Sequence, residues 1–281
     1  MRVFYSLVIA AVFLLGVGVS QAQEAKSPDL GLSVFKLGEV NANDKQAGEA
    51  IDKLAKHLSD QVKDAKFARR GVRNKPDDTL TLLKDDKNPT ALAIVSPGFY
   101  FKHKDSLKLT ALAEARRGGF NGEQYTLVGN VKAEKYPEGK KVATTLDADL
   151  DWLDKVVLPR PQGAKPVQWV HYDNLADAGY LFVDEPKSAP DFILLDRVSL
   201  KVFQDDADLK ALVAGITSEL LLQDLVVEVD GRLGKHRDAT IKVLAELDKT
   251  PEGKKLGELL QTATFPAPDK KRLEAAAARY Q

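Results

Sequence analysis

Cysteine is absent from the sequence, so disulfide bonds, thiol nucleophiles and cysteine metal sites are all excluded. The same absence excludes a lipid anchor attached to a cysteine behind a leader. An excess of one charge is also missing, because 41 basic side chains face 41 acidic ones in 281 residues. No overall charge therefore draws the chain to nucleic acid or to an anionic membrane, and we expect no nucleic-acid partner.

Beyond the N-terminus, no apolar run is long enough to cross a bilayer. The exception is residues 3–19, an apolar stretch that follows an arginine and leads into Ser-Gln-Ala at residues 20–22. This pattern predicts a signal peptide over residues 1–22, cleaved after Ala22, although the run also reaches the lower limit for an uncleaved anchor. We expect the rest of the chain to lie free in an exported compartment, most simply a bacterial periplasm.

Signatures of common catalytic and metal sites are missing as well. The sequence contains no HExxH, GxSxG, P-loop or GxGxxG motif. None of its four histidines stands four residues from another; they are His57, His103, His171 and His236. We therefore expect no metal site, no cofactor and no catalytic residue.

What the chain does have is an alternation of strand and helix patterns. Asp44–Val62 carries apolar residues at spacings of four, three, four and four, which is typical of an amphipathic helix. Ala91–Val95 and Phe192–Leu195 are short apolar runs, which favour buried strands. The alternation predicts an α/β fold with mostly parallel strands, and such sheets bind ligands beyond the carboxyl ends of their strands.

Polar side chains follow two of these predicted strands. Ser96 and Tyr100 flank a predicted Pro-Gly turn after the first, and Asp196-Arg197 follows the second. Either pair can face a ligand, or Ser96 can satisfy backbone groups in the turn and Asp196-Arg197 can form an ion pair in a loop.

Thr144 and Thr145 stand where a third predicted strand, Lys141–Thr144, meets a predicted helix over Asp149–Leu158. Hydroxyls at a helix start can join its free N–H groups in binding an anion. Aspartates at positions 147, 149 and 151 instead favour a capped helix with an acidic first turn, and they repel an anion.

Four stretches, in this order along the chain, resemble a known family. They are ALAIVSPGFY at 91–100, GKKVATT at 139–145, APDFILLD at 189–196 and TPEGKKLGELLQTATFPAPD at 250–269. Together they resemble the phosphate/phosphite/phosphonate-binding family, which comprises substrate-binding proteins of ABC importers with the type 2 periplasmic binding fold.

The resemblance implies two α/β lobes with mixed, mostly parallel sheets joined by crossing segments. Residues 28–125 and 217–281 would form the first lobe, and residues 126–216 the second. Leu209–Ile216 has helical spacing in its own right, whereas the resemblance implies a return crossing strand there.

The resemblance also implies ligand-binding residues, and it places Tyr100 on the family's ligand tyrosine. The implied set, drawn from opposite lobes, is Ser96, Tyr100, Thr144 and Thr145, with Asp196 or Arg197 at a charged end of the solute. The chain departs from the family pattern at residues 144–147, where Thr-Thr-Leu-Asp replaces a Ser-Thr-Ser-Gly-like run.

The resulting hypothesis is a monomeric, non-enzymatic protein that captures a small anionic or zwitterionic solute for an ABC permease or a membrane sensor. One rival is an exported hydrolase-like enzyme with Asp173 or Asp196 as its base. A second rival is a protein-interaction module whose cleft is filled by its own side chains.

Overall fold

The computed structural model describes residues 29–35, 44–146 and 149–281, without the side chains of residues 44–46. The predicted signal peptide at residues 1–22 and the acidic position 147 lie outside this part of the chain. None of the helices in the described part is long and apolar enough to span a membrane.

Ten strands occur among the described residues. They are β1 (Leu30–Phe35), β2 (Phe67–Arg73), β3 (Thr90–Val95), β4 (Leu109–Ala115), β5 (Thr126–Gly129), β6 (Lys141–Thr144), β7 (Gln168–His171), β8 (Phe192–Leu195), β9 (Val213–Thr217) and β10 (Asp224–Val229). Most of them are separated by helices, as the alternating pattern predicts.

The α-helices of the described part are α1 (Asp44–Gln61), α2 (Pro76–Leu83), α3 (Pro97–His103), α4 (Leu150–Trp152), α5 (Leu175–Asp184), α6 (Arg197–Asp205), α7 (Arg237–Ala245), α8 (Pro251–Leu259) and α9 (Lys270–Tyr280). A π-helical turn, Leu153–Val157, extends α4. Pro159 and Pro161, which follow it closely, cannot continue a helix.

The strands form two five-stranded sheets. The first sheet has the order β2-β1-β3-β10-β4, and the second has the order β7-β6-β8-β5-β9. In each sheet one strand, β10 or β5, runs against the other four. The fold is therefore α/β with two mixed, mostly parallel sheets, as expected.

Apolar residues hold each sheet under its helices. All six residues of β3 and all four of β8 are buried, as expected for strands covered on both faces. Leu32 of β1 and Leu92 of β3 are fully buried beneath α1. Burying such a leucine contributes about 1.5–3 kcal/mol to folding.

Two crossing segments, residues 116–125 and 218–223, join the sheets. The first leads from β4 to β5, and the second returns from β9 to β10. They pair with each other at Glu123 and Leu221, through N–H···O bonds of 2.9 and 2.7 Å. Both connections between the sheets therefore run side by side.

Two expectations about local structure need comment. The predicted Pro-Gly turn after β3 is wrong, because Pro97 and Gly98 begin α3 and Ser96 caps it. Over residues 209–216 the helical spacing yields only a short 3₁₀ turn, Leu209–Ala211, before strand β9. A strand is therefore present there, but it belongs to the second sheet, so the return crossing that the resemblance implied at this position follows it at residues 218–223.

Candidate functional site

A cavity of about 790 Å³ opens between the two sheets. Ser96 and Pro97 line it from the end of β3, Thr145 and Leu146 from the end of β6, and Asp196 from the end of β8. The carboxyl ends of parallel strands from both sheets therefore face the same space, where α/β folds bind ligands. Its volume is within the range of small-molecule sites.

The crossing segments supply further polar residues of the cavity wall. Arg117, Glu123 and Tyr125 line it from the first segment, and Gln223 and Asp224 from the end of the second and the start of β10. Because these residues lie where the sheets are joined, any movement of one sheet against the other alters their spacing.

Arg117 is held in an ion pair with Asp224. The backbone N–H of Arg117 also donates to Gln223 Oε1 at 2.6 Å. Asp224 raises the pKa of the guanidinium above its ordinary value, so Arg117 stays charged. The positive charge of Arg117 is therefore balanced within the protein.

Glu123 and Asp196 bring two carboxyl groups close together. Glu123 Oε1 accepts hydrogen bonds from the N–H groups of Gln124 at 3.0 Å and of Arg197, the neighbour of Asp196, at 3.2 Å. Burial, and then the negative charge of Asp196, raise the pKa of Glu123 to about 7. Burial also raises the pKa of the nearby Tyr125 phenol well above its usual value.

Asp149 reaches from the second sheet's side of the cavity to the start of α3. Its side chain packs so closely on Gly98 that a Cβ built there would lie 1.5 Å from Asp149 Oδ2. Asp149 is 6% exposed, and Oδ2 has no hydrogen-bond partner. Burial raises the pKa of Asp149 to about 7, against the opposing charge of Lys102.

The described wall of the cavity is acidic although the whole chain is neutral. Its carboxyl side chains are Glu123, Asp149, Asp196, Asp224, Asp248 and Glu258, and its basic side chains are Arg117 and Lys254. Apolar side chains complete the wall: Leu146, Trp152, Leu175, Leu194, Val198 and Leu222. Among the described residues, no group of three or more His, Asp or Glu side chains is placed to hold a metal ion.

Three of the six predicted ligand residues line this cavity: Ser96, Thr145 and Asp196. Ser96 Oγ accepts the N–H of Phe99 at 3.3 Å, and Asp196 Oδ1 accepts the N–H of Ser199 at 2.6 Å. Both residues therefore cap a helix and line the cavity at once. For Ser96 the two alternatives, facing a ligand site and satisfying backbone groups, are both present.

The other three predicted residues are not part of the cavity wall. Tyr100 is buried in the core, with its ring 5.1 Å from that of Phe101. Thr144 is buried, and its hydroxyl accepts the N–H of Leu146 at 3.0 Å. Arg197 packs its guanidinium over the Phe120 ring at 4.8 Å, so it braces the first crossing segment instead.

Sequence reasoning missed the residues of the crossing segments, above all Arg117 and Glu123. The resemblance places the first crossing near residue 125. Because ligands often bind where two domains meet, the charged residues just before this boundary could have been predicted as site residues. From the sequence, Asp149 is expected only in an acidic first turn, because nothing in the sequence indicates its contact with Gly98.

The raised pKa of Asp149 predicts a dependence of stability on pH. The folded carboxyl keeps its proton up to about pH 7, whereas an unfolded one loses it near pH 3.8. The native state thus binds more protons in this window, and the free energy of unfolding falls as pH rises through it. We expect Asp149→Asn to remove this loss and to raise that free energy at pH 8 by on the order of 2–4 kcal/mol.

Urea denaturation at pH 4 and pH 8 measures the effect. Asp151→Asn is the matched control, because Asp151 is exposed and stands two residues away. A wild type more stable than Asp149→Asn at pH 8 would contradict the prediction.

No protein-family model matches the chain, and no curated protein matches it. Solved structures do. XAC2383 from Xanthomonas citri, bound to a chloride ion, has a TM-score of 0.67 at 12% identity, covering 91% of this chain and 98% of its own. The binding-protein component of an ABC phosphonate transporter from Pseudomonas aeruginosa has a TM-score of 0.60 at 12% identity, over 90% of this chain and 87% of its own.

PhnD1 from Prochlorococcus marinus, solved with methylphosphonate, has a TM-score of 0.57 at 12% identity, covering 88% of this chain and 95% of its own. At this identity the likeness concerns the fold alone. The alignments with these neighbours cover 87–98% of each chain. The chain therefore has the two-lobed α/β fold of the type 2 periplasmic binding proteins.

Proposed function

We propose that the chain is a solute-binding protein that captures a small molecule between two lobes and delivers it to an ABC permease or a membrane sensor. The observation that carries the proposal is the cavity of about 790 Å³ between the two sheets. The first lobe comprises residues 28–125 with 218–281 and the second residues 126–217, one residue later than the resemblance implies, since Thr217 pairs with Thr126 in the second sheet. The protein acts as a monomer and makes or breaks no bond.

The crossing segments are the hinge of this mechanism. They are the two connections between the sheets and are paired with each other, so they can bend together while both sheets stay rigid. A solute that contacts both lobes binds the closed form better than the open form and so shifts the population toward closure. The closed form then presents a joint surface of both lobes to its membrane partner.

Ser96, Thr145 and Asp196 are the residues predicted from the sequence that we propose as solute contacts. They belong to opposite sides of the cavity, and each lies at the carboxyl end of a strand. Proteins of similar fold include a component of an ABC phosphonate transporter and a protein in complex with methylphosphonate. Together with the predicted leader at residues 1–22, this supports a role in the periplasm.

The rivals have less support. Asp173, one proposed hydrolase base, is exposed, and its ion-pair neighbour among the described residues is His171 at 3.0 Å, while Asp196 is engaged as a helix cap. The hypothesis of a cleft filled by the protein's own side chains requires a closed space, whereas the cavity is open to a small molecule.

Closure provides the test. The chain has no cysteine, so Lys63→Cys in the first lobe and Lys187→Cys in the second, both exposed positions, attach spin labels at these two sites alone. Pulsed electron resonance then measures the distance between the lobes with and without a panel of small amines, guanidines, amino acids, phosphate and methylphosphonate. We expect one class to shorten the distance and to release heat in calorimetry. Neither effect with any member would contradict the proposal.

A further inference from the structure

The cavity offers little to an anion. Of its two basic side chains, Arg117 is already paired with Asp224, and Lys254 belongs to an exposed part of α8. Six carboxyl groups share the wall with them. A phosphonate or phosphate group would therefore meet like charges, which disfavours its binding where the groups are desolvated.

Two of these carboxyl groups have a free oxygen although they are more than nine-tenths buried. Glu123 is 7% exposed; its Oε1 accepts two backbone N–H groups, and its Oε2, to which no described group hydrogen-bonds, is not enclosed by the protein and is open to the cavity that Glu123 lines. Asp149 is 6% exposed, and its Oδ2 has no partner. Buried polar atoms normally have partners, and an unpaired carboxylate oxygen is the costliest case. Each of these oxygens lacks a donor.

A cationic solute would supply the missing donors. An ammonium group carries three N–H donors and a guanidinium five, and either can bridge the neighbouring carboxylates of Glu123 and Asp196. The apolar side chains of the wall, Trp152 and Leu194 among them, fit an alkyl frame rather than a bare ion. A frame that extends across the cavity would place a second donor near the Asp149 carboxyl group, whose Oδ2 is enclosed against Gly98 in this structure.

We propose, on the basis of the proposed function, that the solute is a small organic cation, a primary amine or a guanidine, whose charged group lies between Glu123 and Asp196. The choice differs from the anionic or zwitterionic solute that the sequence suggested. The closeness of Glu123 and Asp196 supports it, because the negative charge of Asp196 opposes the ionisation of Glu123, and a cation between them would favour it.

Calorimetry at pH 8 with 1,4-diaminobutane, 4-aminobutylguanidine, methylphosphonate, phosphate and calcium chloride tests the inference. We expect a diamine or guanidine to bind, and Glu123→Gln to weaken that binding about tenfold or more. The variant keeps an oxygen acceptor for the two backbone N–H groups, and circular dichroism checks that it folds. Glu134→Gln, at an exposed position of the second lobe, is the matched control and should leave the affinity unchanged.

A pH series on the unaltered protein is a second measurement that needs no variant. The cation prefers ionised carboxylates, and the pKa of Glu123 is about 7, so affinity rises with pH through neutrality. One such group gives about a tenfold gain between pH 6 and pH 8. A gain toward lower pH would overturn the inference.

The remaining outcomes separate the inference from the proposed function. Binding and lobe closure with an anion or with calcium, but with no amine, would overturn the organic cation and leave the solute-binding role intact. Amine binding that is equal in the protein and in Glu123→Gln would also overturn it, since the cation would then lie elsewhere. No binding and no closure with any probe would remove both.

Discussion

Replacing Arg272 with alanine is expected to lower the free energy of unfolding by about 3–5 kcal/mol. Arg272, on α9, lies 3.3 and 3.4 Å from the two carboxylate oxygens of Glu114, which is fully buried at the end of β4. The guanidinium also donates to the carbonyl of Leu221 at 2.9 Å. Its removal leaves a buried negative charge with only Arg116, at 3.5 Å, as a cationic neighbour among the described residues.

Urea denaturation at neutral pH measures this loss, and Arg279→Ala is its matched control. Arg279 lies on the same helix and pairs with Glu219 at 2.6 Å, but these side chains are 34% and 70% exposed, against 12% and 0% for Arg272 and Glu114. Exposed pairs contribute about 0–1 kcal/mol, so the control should be nearly neutral. Equal losses in the two variants would mean that the burial of Glu114 adds nothing to the strength of its pairing.

In the proposed mechanism, the same cluster anchors the hinge that the crossing segments form. The backbone N–H of Gln223 donates to Glu114 Oε1 at 2.9 Å, and Gln223 Oε1 accepts the N–H of Arg117. The crossing segments are thus fixed at their first-lobe ends by buried charged and polar groups. If the lobes close as proposed, we expect the bending to be confined to the stretches between this anchor and β5 or β9.

Much of the fold could be predicted because long apolar patterns survive in the sequence. The regular spacing of α1 and the continuous apolar runs of β3 and β8 each correspond to a structural element. Strand β9 differs, because its residues are exposed or half-buried and burial imposes no alternation of apolar and polar residues on them. Only the resemblance implies a strand there. Helix α3 has seven residues, too few for a helical period to appear.

The site was harder to predict because its parts meet only in the folded chain. Arg117 and Asp224 are 107 residues apart in sequence, and their ion pair depends on how the two crossing segments align. Ser96 and Asp196 were found because they follow recognisable strands. The sequence leaves open whether each residue contacts a ligand or has only a structural role in a turn or loop. These roles are hard to separate, because the strand end that faces the cavity is also the start of a helix.

Gly98 lies at such a start, and its replacement by alanine is the second change for which we expect a large effect. The added Cβ would overlap the Asp149 carboxyl group, because Asp149 Oδ2 lies 1.5 Å from the position that the Cβ would take. Because Gly98 follows β3 of the first sheet and Asp149 follows β6 of the second, the overlap exists only while the lobes are together. Overpacking of about 1–3 kcal/mol in the closed form would weaken solute binding roughly 5- to 150-fold.

The fold itself should not suffer, since alanine favours a helix over glycine by about 1 kcal/mol. Gly98→Ala should therefore keep its resistance to urea, while the spin-label distance between the lobes lengthens with and without solute. The matched test is a double-mutant cycle with Asp149→Ala, which removes the overlapping carboxylate. In that background the alanine at position 98 should have little effect on the distance. If it lengthens the distance equally in both backgrounds, the contact between Gly98 and Asp149 does not control closure.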